Sequence, residues 1–233
     1  MPRGKKKVVS VAERIEAVKA EIESLGAQLK EKKAELKKLE AIFHTCVVNE
    51  VSKLIVLSSI NSLNFTVQQD KGSIVRRDYV TARAFNCAKF EELTGYLAIK
   101  SNVKTVITRL PYIVNQNNSS TYIGKLFDTV SESKPLELSY NEKQRIELLS
   151  VRDLMELLVS ITEETIDKSG EYTVTSGYHR TYGELGDALT RCAPGAEISY
   201  AAASRYELVL NDERESKRLR DNYGFIPTDD VLP

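Results

Sequence analysis

Apolar residues recur at alternating spacings of three and four along the first 43 residues: Val8, Val11, Ile15, Val18, Ile22, Leu25, Leu29, Leu36, Leu39 and Phe43. This is a heptad pattern. Val8, Ile15, Ile22, Leu29 and Leu36 share one seam position, and Val11, Val18, Leu25 and Leu39 share the other. Lys32 is the single polar intruder. Ser10 and Glu13 have the spacing of a capping box, which predicts a helix starting near Val11. Gly26 weakens that helix by about 1 kcal/mol relative to Ala, too little to break it. A stripe this narrow cannot satisfy itself in water, so the helix is expected to associate through residues 8–43, with another copy, another helix or the body of the protein. In a parallel pair the flanking contacts would be Arg14 with Lys19 and Glu35 with Glu40. Each is repulsive by a few tenths of a kcal/mol, which leaves orientation and copy number open.

Beyond residue 40 the pattern changes. Residues 53–59, KLIVLSS, form a continuous apolar, partly β-branched run bounded by polar positions, as expected of a strand covered on both faces. A helix is predicted over about 78–100, a strand over 103–110, and a short strand leading into a helix near Val151. A strand over 171–176, a helix over 181–192, a strand over 196–201 and a closing helix near 216–223 follow. Alternation of this kind predicts an α/β domain with a largely parallel sheet. The chain is thus read as a basic tail and coiled-coil helix over 1–40 and an α/β domain over 41–233.

Composition narrows the functional classes. With 42% hydrophobic and 28% charged residues, there is no apolar run of the length that spans a bilayer. Glu13, Arg14, Glu16 and Lys19 interrupt the position where a secretory apolar core would sit. Cys46, Cys87 and Cys192 form no C-x-x-C pair, and His44 and His179 are the only histidines. Neither a disulfide framework nor a metal centre is expected, and a reducing cytoplasm is the simplest setting. Residues 1–40 carry eleven Lys/Arg against seven Glu, in a chain of net charge zero. The run Gly4-Lys5-Lys6-Lys7 would attract phosphates only weakly and in a salt-sensitive way, so a solubilising tail is expected rather than a nucleic-acid interface.

The order of elements in the second part carries a resemblance. SKLIVLSS, a Tyr-bearing helix, VITRLP, QRIELLSVRDLMELL, GEYTVTSG followed by TYGEL, and RLRDNYGFIP together resemble the later part of an extended short-chain dehydrogenase/reductase of the NAD-dependent epimerase/dehydratase family. The resemblance covers roughly residues 41–230. It implies a Rossmann-like parallel sheet with the C-terminal substrate-binding region, NAD or NADP as cofactor, and a nucleotide sugar or other hydroxylated substrate. It also implies a Ser that hydrogen-bonds the substrate and a Tyr that shuttles the proton, made more acidic by a cation four residues on. Ser59 matches the Ser. The Tyr-x-x-x-Lys element matches in two registers, Tyr79 with Arg83, and Phe85 with Lys89. These lie about 120° apart on one helix, so only one can face a cleft. Arg83 could still favour a phenolate on Tyr79, whereas Phe85 has no proton to give. The resemblance further assigns Arg145 to substrate phosphates and places Asn115 in a substrate-contacting loop.

One family feature is missing from this sequence. A G-x-x-G-x-x-G turn, whose amides and helix N-terminus hold the dinucleotide pyrophosphate, has no counterpart. Gly4 and Gly26 are the only glycines among residues 1–52. The sheet is therefore expected to be incomplete, with residues 53–59 as an open edge, and dinucleotide binding by this chain alone is not expected. Two functions are compatible with this sequence. One is an epimerase/dehydratase-like oxidoreductase impaired by the missing half; the other is a non-catalytic assembly protein carried by an oligomerising helix.

Overall fold

The computed structural model describes residues 11–63, 65–69, 75–79, 81–115, 120–178, 180–202, 213–228 and 231–232. Ser10, the basic tail and His179 lie outside them, as do the side chains of residues 11–13, 65–69, 75–79 and 213. The chain divides into two compact units, Met1–Val51 and Ser52–Pro233.

The first unit is one helix, α1 (Val11–Val48). It continues unbroken through residues 41–48, which the sequence pattern assigns to the α/β domain. It ends where Glu50 takes a left-handed backbone (φ 51°) and the Val51 amide returns to the Cys46 carbonyl. Its seam residues Ile15, Val18, Ile22, Leu25 and Leu29 are exposed.

The second unit is α/β. Its centre is a parallel sheet of β1 (Leu54–Ser59), β4 (Thr105–Leu110) and β9 (Gly170–Thr173), in the order β1-β4-β9. A 3₁₀ turn (Ile60–Leu63) follows β1, and then an antiparallel ladder of β2 (Phe65–Gln69) and β3 (Val75–Tyr79) leads into α2 (Ala82–Ser101). After β4 the chain forms β5 (Tyr112–Val114), α3 (Tyr122–Ser131), β6 (Leu136–Leu138), β7 (Arg145–Ile146), β8 (Leu148–Ser150) and α4 (Val151–Glu163). Beyond β9 come β10 (Arg180–Thr181), α5 (Tyr182–Cys192), β11 (Ile198–Tyr200) and α6 (Glu213–Tyr223). Three two-stranded ladders join these parts: β5 with β8 and β6 with β11, both parallel, and β7 with β10, antiparallel.

Two apolar cores result. Val106, Leu110, Leu157, Ile161, Tyr172 and Leu219 pack around the three-stranded sheet, α4 and α6. Leu126, Leu138, Ile146, Tyr182, Leu185 and Leu189 pack around α3, α5 and the short ladders. The apolar β4 run, TVITRL, is buried at five of its six positions. That fits a strand with a neighbour on each side and cover above and below. β1 pairs with β4 alone among the described residues, and Leu57 in its middle is half exposed. It is the edge strand the sequence implied.

The expected helix over 78–100 begins later, at Ala82, and Tyr79 belongs to β3, opposite Phe65. The physical reason lies in Thr81. Its extended backbone (φ −139°) and its hydroxyl, which accepts from the Ala84 amide, make it the N-cap. The helix therefore cannot extend back to Asp78.

Candidate functional site

In open parallel sheets ligands gather at the carboxyl ends of the strands. Here those ends are Ser59, paired in register with Leu110, and Thr173, paired with Arg109. Ser59 is half-buried, and its Oγ accepts from Asn61 Nδ2 at 2.9 Å and from the Asn61 amide at 3.3 Å. It closes the turn that follows β1. The preceding Ser58 donates to Glu91 Oε1 at 2.5 Å, tying β1 to α2.

Glu91 is a residue that no sequence pattern singles out. It is 3% exposed and also accepts from Arg109 Nε at 2.8 Å. Arg109 Nη2 lies against both Glu91, at 2.8 Å, and Glu171. Burial works against the Arg109 charge, but the carboxylates of Glu91 and then Glu171 outweigh it and hold the guanidinium above its ordinary range. A second buried carboxylate, Glu147, accepts from the amide and hydroxyl of Ser176 at 2.5 and 2.7 Å. A third, Asp153, accepts from the amide and hydroxyl of Thr228, each at 3.1 Å. The Glu147 contacts tie the segment after β9 to the connection between β7 and β8, and the Asp153 contacts tie the C-terminal segment to α4.

The two Tyr-x-x-x-Lys registers fall in different places. Tyr79 is in a strand and Arg83 is in the first turn of α2, so they do not share a helical face; the Tyr79 side chain lies outside the described residues. Arg83 acts instead on Cys87 and Tyr140. Burial raises both groups, and the Arg83 charge opposes that rise without overcoming it. Phe85 and Lys89 do share a face, with Lys89 Nζ 5.8 Å from the centre of the Phe85 ring and 2.6 Å from Glu92 Oε2. Both are exposed, off the buried stripe of Ala84, Ala88, Glu91, Thr94 and Leu97. Asn115 is half-buried just past β5, and Arg145 is exposed on β7, opposite Thr181. Asn115 follows the β5–β8 ladder and Arg145 belongs to the β7–β10 ladder.

Several of the described phenols pack against one another. Tyr112 and Tyr122 pack with ring centres 5.0 Å apart, and Tyr140 stacks on Tyr182 at 4.8 Å. Burial pushes Tyr122 up to about 12 and raises Tyr140, Tyr182, Tyr200 and Tyr223 as well. Every phenol with a displaced ionisation moves away from a base that works near neutral pH.

A dinucleotide cradle also fails to fit the described residues. α2, α3, α4 and α5 each have an N-terminus closed by a hydroxyl: Thr81, Thr121, Ser150 and Thr181 accept from the amides of Ala84, Gly124, Asp153 and Glu184. The glycines with positive φ, Gly170, Gly177, Gly195 and Gly224, are scattered singly. Each cap takes one opening amide of its helix, and the positive-φ glycines form no G-x-x-G-x-x-G nest among the described residues. Among the described residues there is no group of three or more His, Cys, Asp or Glu placed to hold a metal ion, and no helix long and apolar enough to cross a membrane. A mixed-charge cleft of about 250 Å³ lies between Arg180, Glu184, Asp187, Arg191 and Leu232, with Arg180 paired to Glu184 at 3.1 Å.

This architecture is that of a Rossmann-like α/β protein, and it shares the fold of the extended short-chain dehydrogenase/reductases. Known structures bear this out. UDP-glucuronic acid 4-epimerase from Bacillus cereus, in complex with UDP-glucuronic acid and NAD, superposes with a TM-score of 0.68 at 14% identity, over 83% of this chain and 62% of that one. UDP-glucose 4-epimerase from Thermus thermophilus, in complex with NAD, gives 0.58 at 16% identity, over 80% and 62%. A partial consensus L-threonine 3-dehydrogenase gives 0.61 at 14% identity, over 83% and 67%. The matched region thus spans somewhat less than two thirds of the two epimerases. No protein-family model and no curated protein matches the sequence.

Proposed function

We propose that the α/β unit is an epimerase/dehydratase-like body that binds a nucleotide-sugar-type ligand without carrying out the NAD-dependent oxidoreduction unaided. The observation that carries this reading is the face of α2. Phe85 stands four residues before Lys89 on one helical face and has no exchangeable proton, so the cation there has no phenol to activate. Arg145 is the proposed contact for ligand phosphates, where an exposed guanidinium offers a fork of donors, and Asn115 is a proposed contact for the sugar. The free thiols of Cys46, Cys87 and Cys192 accord with a reducing cytoplasm.

A second reading keeps the chemistry, with Ser59 holding the substrate, Tyr79 as proton shuttle, Arg83 as its cation and NAD or NADP as hydride carrier. Its support is the position of Ser59 at the carboxyl end of β1. One titration separates the two. The chain has eleven Tyr and no Trp, so tyrosine emission transferred to bound NADH is seen against a low background. The proposal expects no saturable NADH binding below a Kd of about 100 µM, while UDP-glucose binds and Arg145→Ala weakens it about tenfold or more. Saturable NADH binding in that range would establish the second reading instead.

A further inference from the structure

Among the described seam residues of α1, Ile15, Val18, Ile22, Leu25 and Leu29 are exposed, Leu36 and Leu39 are half-buried, and Phe43 and Cys46 are buried. The exposed stretch from Ile15 through Lys32 is centred between Glu23 and Ser24. We propose that a second copy of the chain covers this seam antiparallel about that centre. Ile15 then faces the partner's Lys32, Val18 the partner's Leu29, and Ile22 the partner's Leu25. This proposal does not depend on the ligand reading above.

The flanking charges choose this arrangement over its rivals. In a parallel pair Arg14 meets Lys19 and Glu35 meets Glu40, each twice. In an antiparallel pair slid one heptad along the chain, Lys19 meets Lys33 and Glu21 meets Glu35, again twice each. A slide of two heptads removes the repulsion by placing Lys19 against Glu40, but it needs Phe43 and Cys46 in the seam, and those are already buried. In the proposed register Arg14 faces the partner's Glu35 twice, Lys19 faces Gly26, and Glu21 faces Gln28. No like-charge pair remains. Glu35 already holds Lys32 of its own helix at 2.8 Å, so the partner's Arg14 completes a three-charge cluster at each end of the seam. Lys32 at the seam end lays its aliphatic stem over the partner's Ile15 and keeps its ammonium in water.

The test is sedimentation equilibrium on the full chain. Wild type is expected to dimerise, Arg14→Glu and Glu35→Arg each to weaken the dimer about tenfold, and the double variant R14E/E35R to restore it to within about threefold. The rivals move the other way. Arg14→Glu strengthens a parallel dimer by facing Lys19, and Glu35→Arg strengthens the slid antiparallel one by facing Glu21. A strengthening by either variant, or a wild type that stays monomeric at about 100 µM, overturns the proposal. Nitroxides at Glu13→Cys, with the native cysteines replaced, give an independent readout. A separation of about 35 Å is expected, and about 20 Å, as in a parallel pair, overturns it.

Discussion

Helices α1 and α5 carry the same kind of apolar periodicity and end in opposite surroundings. Ile15, Val18, Ile22, Leu25 and Leu29 keep half or more of their surface, whereas Tyr182, Leu185, Ala188 and Leu189 keep none. What differs is the neighbour. α5 lies in an apolar cluster with Leu126, Leu138 and Ile146, and a Cβ at Gly186 would collide with the Tyr200 hydroxyl of β11. A helical period says which side chains share a side; only the tertiary surroundings decide whether that side is dry.

The contrast can be broken most directly by truncating one residue on each helix. All eleven tyrosines lie beyond residue 51, so tyrosine emission during urea unfolding reports the α/β unit alone. Leu189→Ala is expected to destabilise that unit by about 3 kcal/mol, and Ile22→Ala to change it by less than about 0.5 kcal/mol. Equal effects would mean that the exposed seam is part of the body's core after all. A smaller effect separates the two carboxylates of Arg109. Glu91 is buried and also takes the Ser58 hydrogen bond, while the Glu171 side chain is 47% exposed. Glu91→Gln is expected to cost about 2 kcal/mol, and Glu171→Gln less than about 1 kcal/mol. The reverse order in the same urea assay would remove Glu91 as the anchor between β1 and α2.

The smallest expected effect concerns alkaline pH. The fold raises Tyr122 from 10.0 to about 12 by favouring the neutral phenol. Its contribution to stability is therefore complete below pH 10, the ordinary value, and is lost as pH rises toward 12. Absorbance of phenolate against pH should show a late-titrating fraction that disappears in urea. A single transition at the ordinary phenol value in the native chain would contradict the buried tyrosine cluster.

Much of the framework was legible in the residues. The heptads marked α1, the apolar run over 103–110 marked β4 (Thr105–Leu110), and Thr181 with Glu184 forms the capping box that opens α5. α3 went unread although the spacing of Ile123, Leu126 and Val130, after the cap Thr121, was there to be seen. The β2–β3 ladder is a different kind of omission. Arg76, Arg77 and Asp78 have no strand pattern of their own, and their strand exists because residues 65–69 lie alongside them. That pairing is what takes Tyr79 off the helix and separates the first candidate pair.

Glu91 and Glu92 show where the boundary lies. As letters they are interchangeable neighbours on a helix, and the sequence alone determined that a helix runs through them and that a long apolar stripe precedes the α/β unit. The tertiary structure alone decided that Glu91 faces β1 and Arg109 while Glu92 meets Lys89 in solvent. Local periodicity follows from backbone geometry, which each residue carries with it. The role of a buried charge depends on which distant strand lies opposite, and that is known only when the chain has folded.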